Sequence, residues 1–130
     1  GHSYGHAIEI LCKHTLPHGT AVTIGMCVET ILCSKKFKIN KKIYKTILEL
    51  ALKLITKTDY NIIRKINLKN LNTIMMKDKK TLNGVIKLTV PKEIGYIKFY
   101  NQKLNSQNIN DLVEANRIFF KAFDEKKYSN

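Results

Sequence analysis

The chain has 130 residues, 44% of them hydrophobic and 25% charged, and its 23 lysines and arginines against 10 acidic residues leave a formal net charge of +13. That length closes one hydrophobic core and bounds the chain to a single domain, and no run approaches the roughly 20 apolar residues of a membrane span. So strong a positive balance ordinarily points to nucleic acid, but all of it except Arg64 and Arg117 is lysine, scattered rather than gathered with aromatics, so neither a nucleic-acid nor a membrane partner is expected.

Taken in order, residues 3–11 form the first helix, with Ile8 and Leu11 inward, and residues 12–17 connect it to the next. From Gly19 to Cys33 nearly every residue is small or apolar. A helix apolar nearly all round belongs in the middle of a bundle. Gly25 inside it would cost roughly 0.8–1.0 kcal/mol relative to Ala, so another backbone is expected to pass close by. Lys35-Lys36-Phe37-Lys38 ends this helix in solvent.

Asn40 suits the N-cap of a third helix running to about Thr56. Its apolar stripe is Ile43, Ile47, Leu50 and Leu54, widened by Leu48, Ala51 and Ile55, and reads as core. Thr58 or Asp59 caps a short helix through Ile66, and residues 70–77 form another, with Leu71, Ile74 and Met75 inward and Asp78-Lys79-Lys80 closing it. The period then changes. Residues 85–90 and 96–100, β-branched and aromatic around Pro91 and Gly95, read as two short strands. A polar link leads to a last helix over residues 109–123, with Leu112, Val113, Ala115, Ile118, Phe119 and Phe120 on its apolar face. The expected fold is therefore mainly α, a helical bundle with a short two-stranded β-ribbon. Cys12, Cys27 and Cys33 form no C-x-x-C pair; Cys12 and Cys27, in apolar surroundings, suit small buried hydrophobes in a reducing compartment, with the cytoplasm as the default location. No G-x-G-x-x-G follows a predicted strand, so a dinucleotide fingerprint is missing from these residues.

The chemistry is concentrated near the start. His2, His6 and His18 occur as H-x3-H-x11-H, each beside a glycine. On a helix His2 and His6 stand one turn apart on one face, and His18 follows Leu16-Pro17 where the second helix begins. Neutral imidazoles brought together this way approach a divalent metal at roughly 2.0–2.1 Å. The spacing is not that of a zinc finger. His14 lies in the connecting loop and is expected at the surface.

The residues Gly1-His2-Ser3-Tyr4-Gly5-His6-Ala7-Ile8-Glu9, then Leu16-Pro17-His18-Gly19, Ala21-Val22 and Ile24-Gly25-Met26 resemble the dehydroquinate synthase family of sugar-phosphate cyclases. A weaker match follows at Met75-Met76-Lys77-Asp78-Lys79-Lys80 and the apolar segment ending in Ile94-Gly95, whereas the last thirty-five residues carry little family signal. The resemblance implies an NAD- and metal-dependent lyase that takes a phosphorylated seven-carbon sugar to a carbocycle. It works by transient oxidation, elimination of phosphate, reduction and intramolecular aldol closure, and the family works in the shikimate pathway of aromatic amino acid biosynthesis. It implies His2 and His18 as ligands of a divalent metal, zinc first with cobalt or iron as alternatives, and a third, glutamate ligand from elsewhere. It makes His6 the substrate-contacting catalytic histidine and Lys79 a substrate-binding lysine. It also implies a preceding NAD-binding domain and a homodimer, so these residues are expected to be the C-terminal part of a longer two-domain enzyme.

One departure bears on the substrate: where the family usually reads H-G-E, this chain has His18-Gly19-Thr20. Iron-dependent alcohol dehydrogenases share a helical metal domain with H-x3-H and P-H-G elements, but lack the G-H-A-x-E ending and usually the D-K-K block. They rank second. A basic helical module binding nucleic acid or a partner is the alternative from another class, and it requires no convergence of the histidines.

Overall fold

The computed structural model describes residues 2–67, 70–71, 73–74, 77, 84–103 and 105–128; for His2, Ser3, Ile86, Ser106, Ile109 and residues 126–128 it describes the backbone alone. The described elements are α1 (His2–Leu11), α2 (His18–Lys36), α3 (Lys41–Leu54), α4 (Lys57–Ile63), β1 (Val85–Glu93), β2 (Tyr96–Lys103) and α5 (Ser106–Tyr128). The expected mainly helical bundle with one short ribbon is what forms. Asn70, Leu71, Thr73, Ile74 and Lys77 have helical backbone, with Leu71 buried, as expected of that stretch. Met75 and the Asp78-Lys79-Lys80 segment lie outside the described residues.

The second helix is the centre. It packs against α1, α3, α5 and β1, and Ala21, Ile24, Cys27, Val28, Ile31, Leu32 and Cys33 are all buried. Its sequence has no polar stripe to offer to water, so neighbours must cover it on several sides. Each buried Ile or Leu then contributes about 1.5–3 kcal/mol relative to exposure. Gly25 is buried in this helix. A close backbone approach is seen at Gly5 of α1, where an added Cβ would stand 2.9 Å from the Ala21 carbonyl oxygen and 3.1 Å from the Val22 Cα.

Local signals set the ends. Residues Lys13 and His14 take left-handed backbone (φ 50° and 57°) and the His14 N–H donates to the Glu9 carbonyl at 2.9 Å, closing α1. The Asn40 side chain accepts from the Lys42 N–H at 2.9 Å, as expected of an N-cap. The fourth helix is a correction: its N-cap is Thr56, two residues before the expected Thr58. Asp59 is the reciprocal partner in a capping box, since Thr56 Oγ1 accepts from the Asp59 N–H at 3.1 Å and Asp59 Oδ2 from the Thr56 N–H at 3.4 Å. A Thr-x-x-Asp pair satisfies two orphan donors at once, which a single cap at Thr58 does not.

The stripe on α3 is rotated from expectation. Ala51 and Ile55 are buried and Tyr44, Ile47, Leu48 and Leu52 pack against the core, but Leu50 and Leu54 are 55% and 67% exposed. The helical period defines a broad apolar sector, and packing against α2 and α5 selects one edge of it.

Strand β1 runs antiparallel to β2 from Val85 opposite Lys103 to Glu93 opposite Tyr96, with Gly95 at φ 81° in the turn. The hairpin is longer than expected at both ends. A two-stranded ribbon is marginal alone; here Leu88, Val90 and Gln102 are buried and β1 lies on α2, while most of β2 faces out. Long α5 lays Leu112, Ala115, Asn116, Phe119 and Phe123 into the core. Tyr60 stacks on Phe123 with ring centroids 4.8 Å apart, and the buried Tyr4 hydroxyl donates to Asn116 Oδ1, tying α1 to α5. No helix among the described residues is long and apolar enough to cross a membrane.

Candidate functional site

The site lies where α1 meets the start of α2. Helix α1 can press its backbone onto α2 because Gly5 has no Cβ to hold them apart. That contact fixes which residues of α1 face the first turn of α2. His18 is the first residue of that turn, after Pro17, which occupies the N-cap without a side-chain hydrogen bond. Proline is compatible with this position because its fixed φ leads the chain into the helix without needing an N–H.

Glu9 joins the two helices. Its Oε1 lies 2.9 Å from His18 Nδ1 and its Oε2 lies 3.7 Å from His6 Nδ1, so one carboxylate faces two imidazoles. The glutamate side chain is 12% exposed, while those of His6 and His18 are 60% and 61% exposed. The rings therefore stand at the protein surface on a carboxylate held below them. The hydrogen bond from His18 holds the Glu9 carboxyl below its ordinary value, and the charges of His18, His6 and His14 act in the same direction against the partial desolvation of the group. An anion here is also favoured by the N-terminus of α2, whose own first turn carries no acidic residue.

Of the residues expected at the site, His6 and His18 are brought together. The backbone of His2 begins α1, one turn before His6, but its side chain lies outside those described, as does Lys79 altogether. The expected convergence of His2 with His18 therefore falls outside the described residues. His14 is exposed at the left-handed end of α1, as expected. Thr20, where the family usually has glutamate, donates to Asp59 Oδ2 at 3.2 Å and so links α2 to the capped start of α4.

Glu9 stands inside the G-H-A-x-E block, where the sequence alone gives it no role. The signal was there: a position three residues after His6 shares its helix face. Among the described residues no group of three His, Cys, Asp or Glu side chains is arranged to hold a metal ion. The donor chemistry of His18 nonetheless fits one. An imidazole whose Nδ1 faces a carboxylate presents its other nitrogen as a ligand, the common arrangement around bound zinc.

A family model described as 3-dehydroquinate synthase C-terminal matches residues 1–81. Among curated proteins, the chain is 37% identical over 105 residues to a 3-dehydroquinate synthase of Prochlorococcus marinus (strain AS9601), covering 78% of this chain and 27% of that protein. It is 33% identical over 118 residues to the one from Vesicomyosocius okutanii, covering 88% and 32%. It is 31% identical over 123 residues to the one from Thermoplasma volcanium, covering 89% and 32%. The chain thus spans about a third or less of the length of these relatives. No solved structure matches it.

Proposed function

This chain belongs to the 3-dehydroquinate synthase C-terminal family, and from that premise we propose that it is the substrate-facing helical part of a sugar-phosphate cyclase. In this reading a phosphorylated seven-carbon sugar loses inorganic phosphate and closes to a carbocycle by an intramolecular aldol step. The enzyme is a carbon–oxygen lyase of 3-dehydroquinate synthase type in the shikimate pathway. It is active in the cytoplasm as a homodimer together with a preceding NAD-binding domain. The observation that carries the reading is the pairing of His6 and His18 across α1 and α2 through Glu9, in a chain matched to this family over the residues that build the pair.

When bound, NAD supplies a hydride acceptor and a divalent metal, zinc foremost with cobalt or iron as alternatives, a Lewis acid that polarises hydroxyl and ketone oxygens. His2 and His18 are the residues of this chain that would hold the metal. His6, one turn from His2 and exposed beside Glu9, takes up or gives a proton as the carbon–oxygen bond to the leaving phosphate breaks, a role that imidazole commonly fills. Lys79 holds the phosphate as a point charge on a flexible stem, which suits a group that must later depart.

The test is stoichiometric. The whole enzyme carrying this chain, given a seven-carbon sugar phosphate, releases inorganic phosphate with no net change in NADH absorbance, because the hydride returns within one turnover. Sustained NADH formation from a plain alcohol without phosphate release overturns the reading in favour of a metal-dependent alcohol dehydrogenase. Salt-sensitive nucleic-acid binding indifferent to all three histidines overturns it in favour of a basic binding module.

A further inference from the structure

An ionised carboxylate can only accept hydrogen bonds. At 2.9 Å, the contact between Glu9 Oε1 and His18 Nδ1 is a hydrogen bond only if that nitrogen carries the proton. In neutral His18 the ring is then protonated on Nδ1 and its lone pair sits on Nε2, the tautomer that a free imidazole in water disfavours. The carboxylate is well placed to impose this choice. It sits on α1 with its side chain only 12% exposed, and α1 is set against α2 by the backbone contact at Gly5. The imidazole that it holds is 61% exposed. The other oxygen of the same carboxylate faces His6 Nδ1 at 3.7 Å, so movement of Glu9 would disturb both rings.

We infer that Glu9 is the positioning residue of this site: it locks the His18 ring in the Nδ1–H tautomer and aims Nε2 as the ligating nitrogen. In this role Glu9 acts through His18, to which it is hydrogen-bonded. The assignment of Nε2 as a metal ligand rests on the function proposed above, whereas the tautomer follows from the contact alone.

The experiment uses the whole protein carrying this chain, metal-free and labelled with 15N in its histidine rings, at a pH where His18 is neutral. Long-range proton–nitrogen spectra should show His18 with Nδ1 protonated and Nε2 bare. In Glu9→Ala the ring should revert to the Nε2–H form, and in Glu9→Gln, whose amide can donate or accept, it should become a mixture. Zinc binding, followed by competition with a chromophoric chelator, should weaken by roughly 10–100-fold in both variants, the usual cost of losing such an outer partner. Should Glu9→Ala fail to fold, Glu9→Gln keeps the side-chain volume and carries both readouts. An Nε2–H tautomer in the wild type, or variants that keep both its tautomer and its zinc affinity, overturns the inference. The two readings fail separately: tautomer control and tight zinc binding without phosphate release would sink the cyclase and leave Glu9 in its role, while phosphate release with an unchanged tautomer in the variants would do the reverse.

Discussion

Replacing Gly5 by alanine sets two effects of opposite sign against each other, and the geometry decides between them. Alanine in a helix interior gains roughly 0.8–1.0 kcal/mol over glycine. At Gly5 the new methyl would stand 2.9 Å from the Ala21 carbonyl oxygen, 3.0 Å from its carbon and 3.1 Å from the Val22 Cα. Comfortable carbon contacts begin near 3.5 Å, so α1 must lift from α2 by roughly half an ångström. The atoms in the way are backbone and cannot rotate aside. Overpacking of this kind costs about 1–3 kcal/mol, and because nothing flexible absorbs it the upper half of that range applies. Gly5→Ala should therefore destabilise by about 1–2 kcal/mol net, a fall of roughly 3–10 °C in melting temperature for a domain of this size. Gly19→Ala is the control, since a Cβ there meets nothing within 4 Å. It should be neutral or stabilise by up to about 1 kcal/mol. Urea unfolding followed by far-UV circular dichroism measures both. If Gly5→Ala is as stable as the wild type, the close approach of α1 to α2 is wrong, and so is the placement of Glu9 that depends on it.

Ile55→Ala should cost about 2–5 kcal/mol as a buried large-to-small change, whereas Leu54→Lys, at a position 67% exposed, should stay within about 0.5 kcal/mol in this chain; equal losses in urea titration would restore the stripe read from periodicity. Asn40→Ala should cost about 1 kcal/mol through loss of the cap on α3 and leave zinc affinity unchanged, since the cap does not touch the site. Burial pushes the Cys27 thiol up to about 12, well above the ordinary value near 8.5 in an unfolded chain. The unfolded state therefore loses this proton first, so Cys27 favours the fold fully below about pH 8.5 and ever less as pH rises toward 12. Alkylation at pH 8 should spare native Cys27 and reach it only on unfolding, and labelling of the native thiol as fast as of the unfolded one would refute its burial. In the whole enzyme, His6→Ala should slow turnover by roughly 10²–10⁴-fold with metal content unchanged, and Lys79→Ala should raise the KM for the sugar phosphate far more than the affinity for NAD falls; metal loss on His6→Ala would move that residue from proton transfer to ligation.

Much of this protein was legible in its sequence, because the relevant physics acts within a few residues. The helix N-cap at Asn40 depends on a side chain reaching a backbone N–H two positions on. The burial of α2 follows from its having no polar face to turn outward, and the hairpin from a switch to β-branched residues around Gly95. The histidine spacing likewise placed His6 and His18 at the joint between two helices. What sequence left open depended on how far apart those helices stand and how they are rotated. The same apolar stripe on α3 can bury Leu50 and Leu54 or Ala51 and Ile55, and the distance to α2 and α5 chose the second pair. Gly5 is an ordinary helix-interior glycine in the sequence, and only the approach of the Ala21 backbone gives it its reason. Glu9 was a letter in a motif until α1 and α2 closed to bring its carboxylate to 2.9 Å from His18: a hydrogen bond forms or fails over a few tenths of an ångström, and that interval is set by the packing of whole helices rather than by any spacing along the chain.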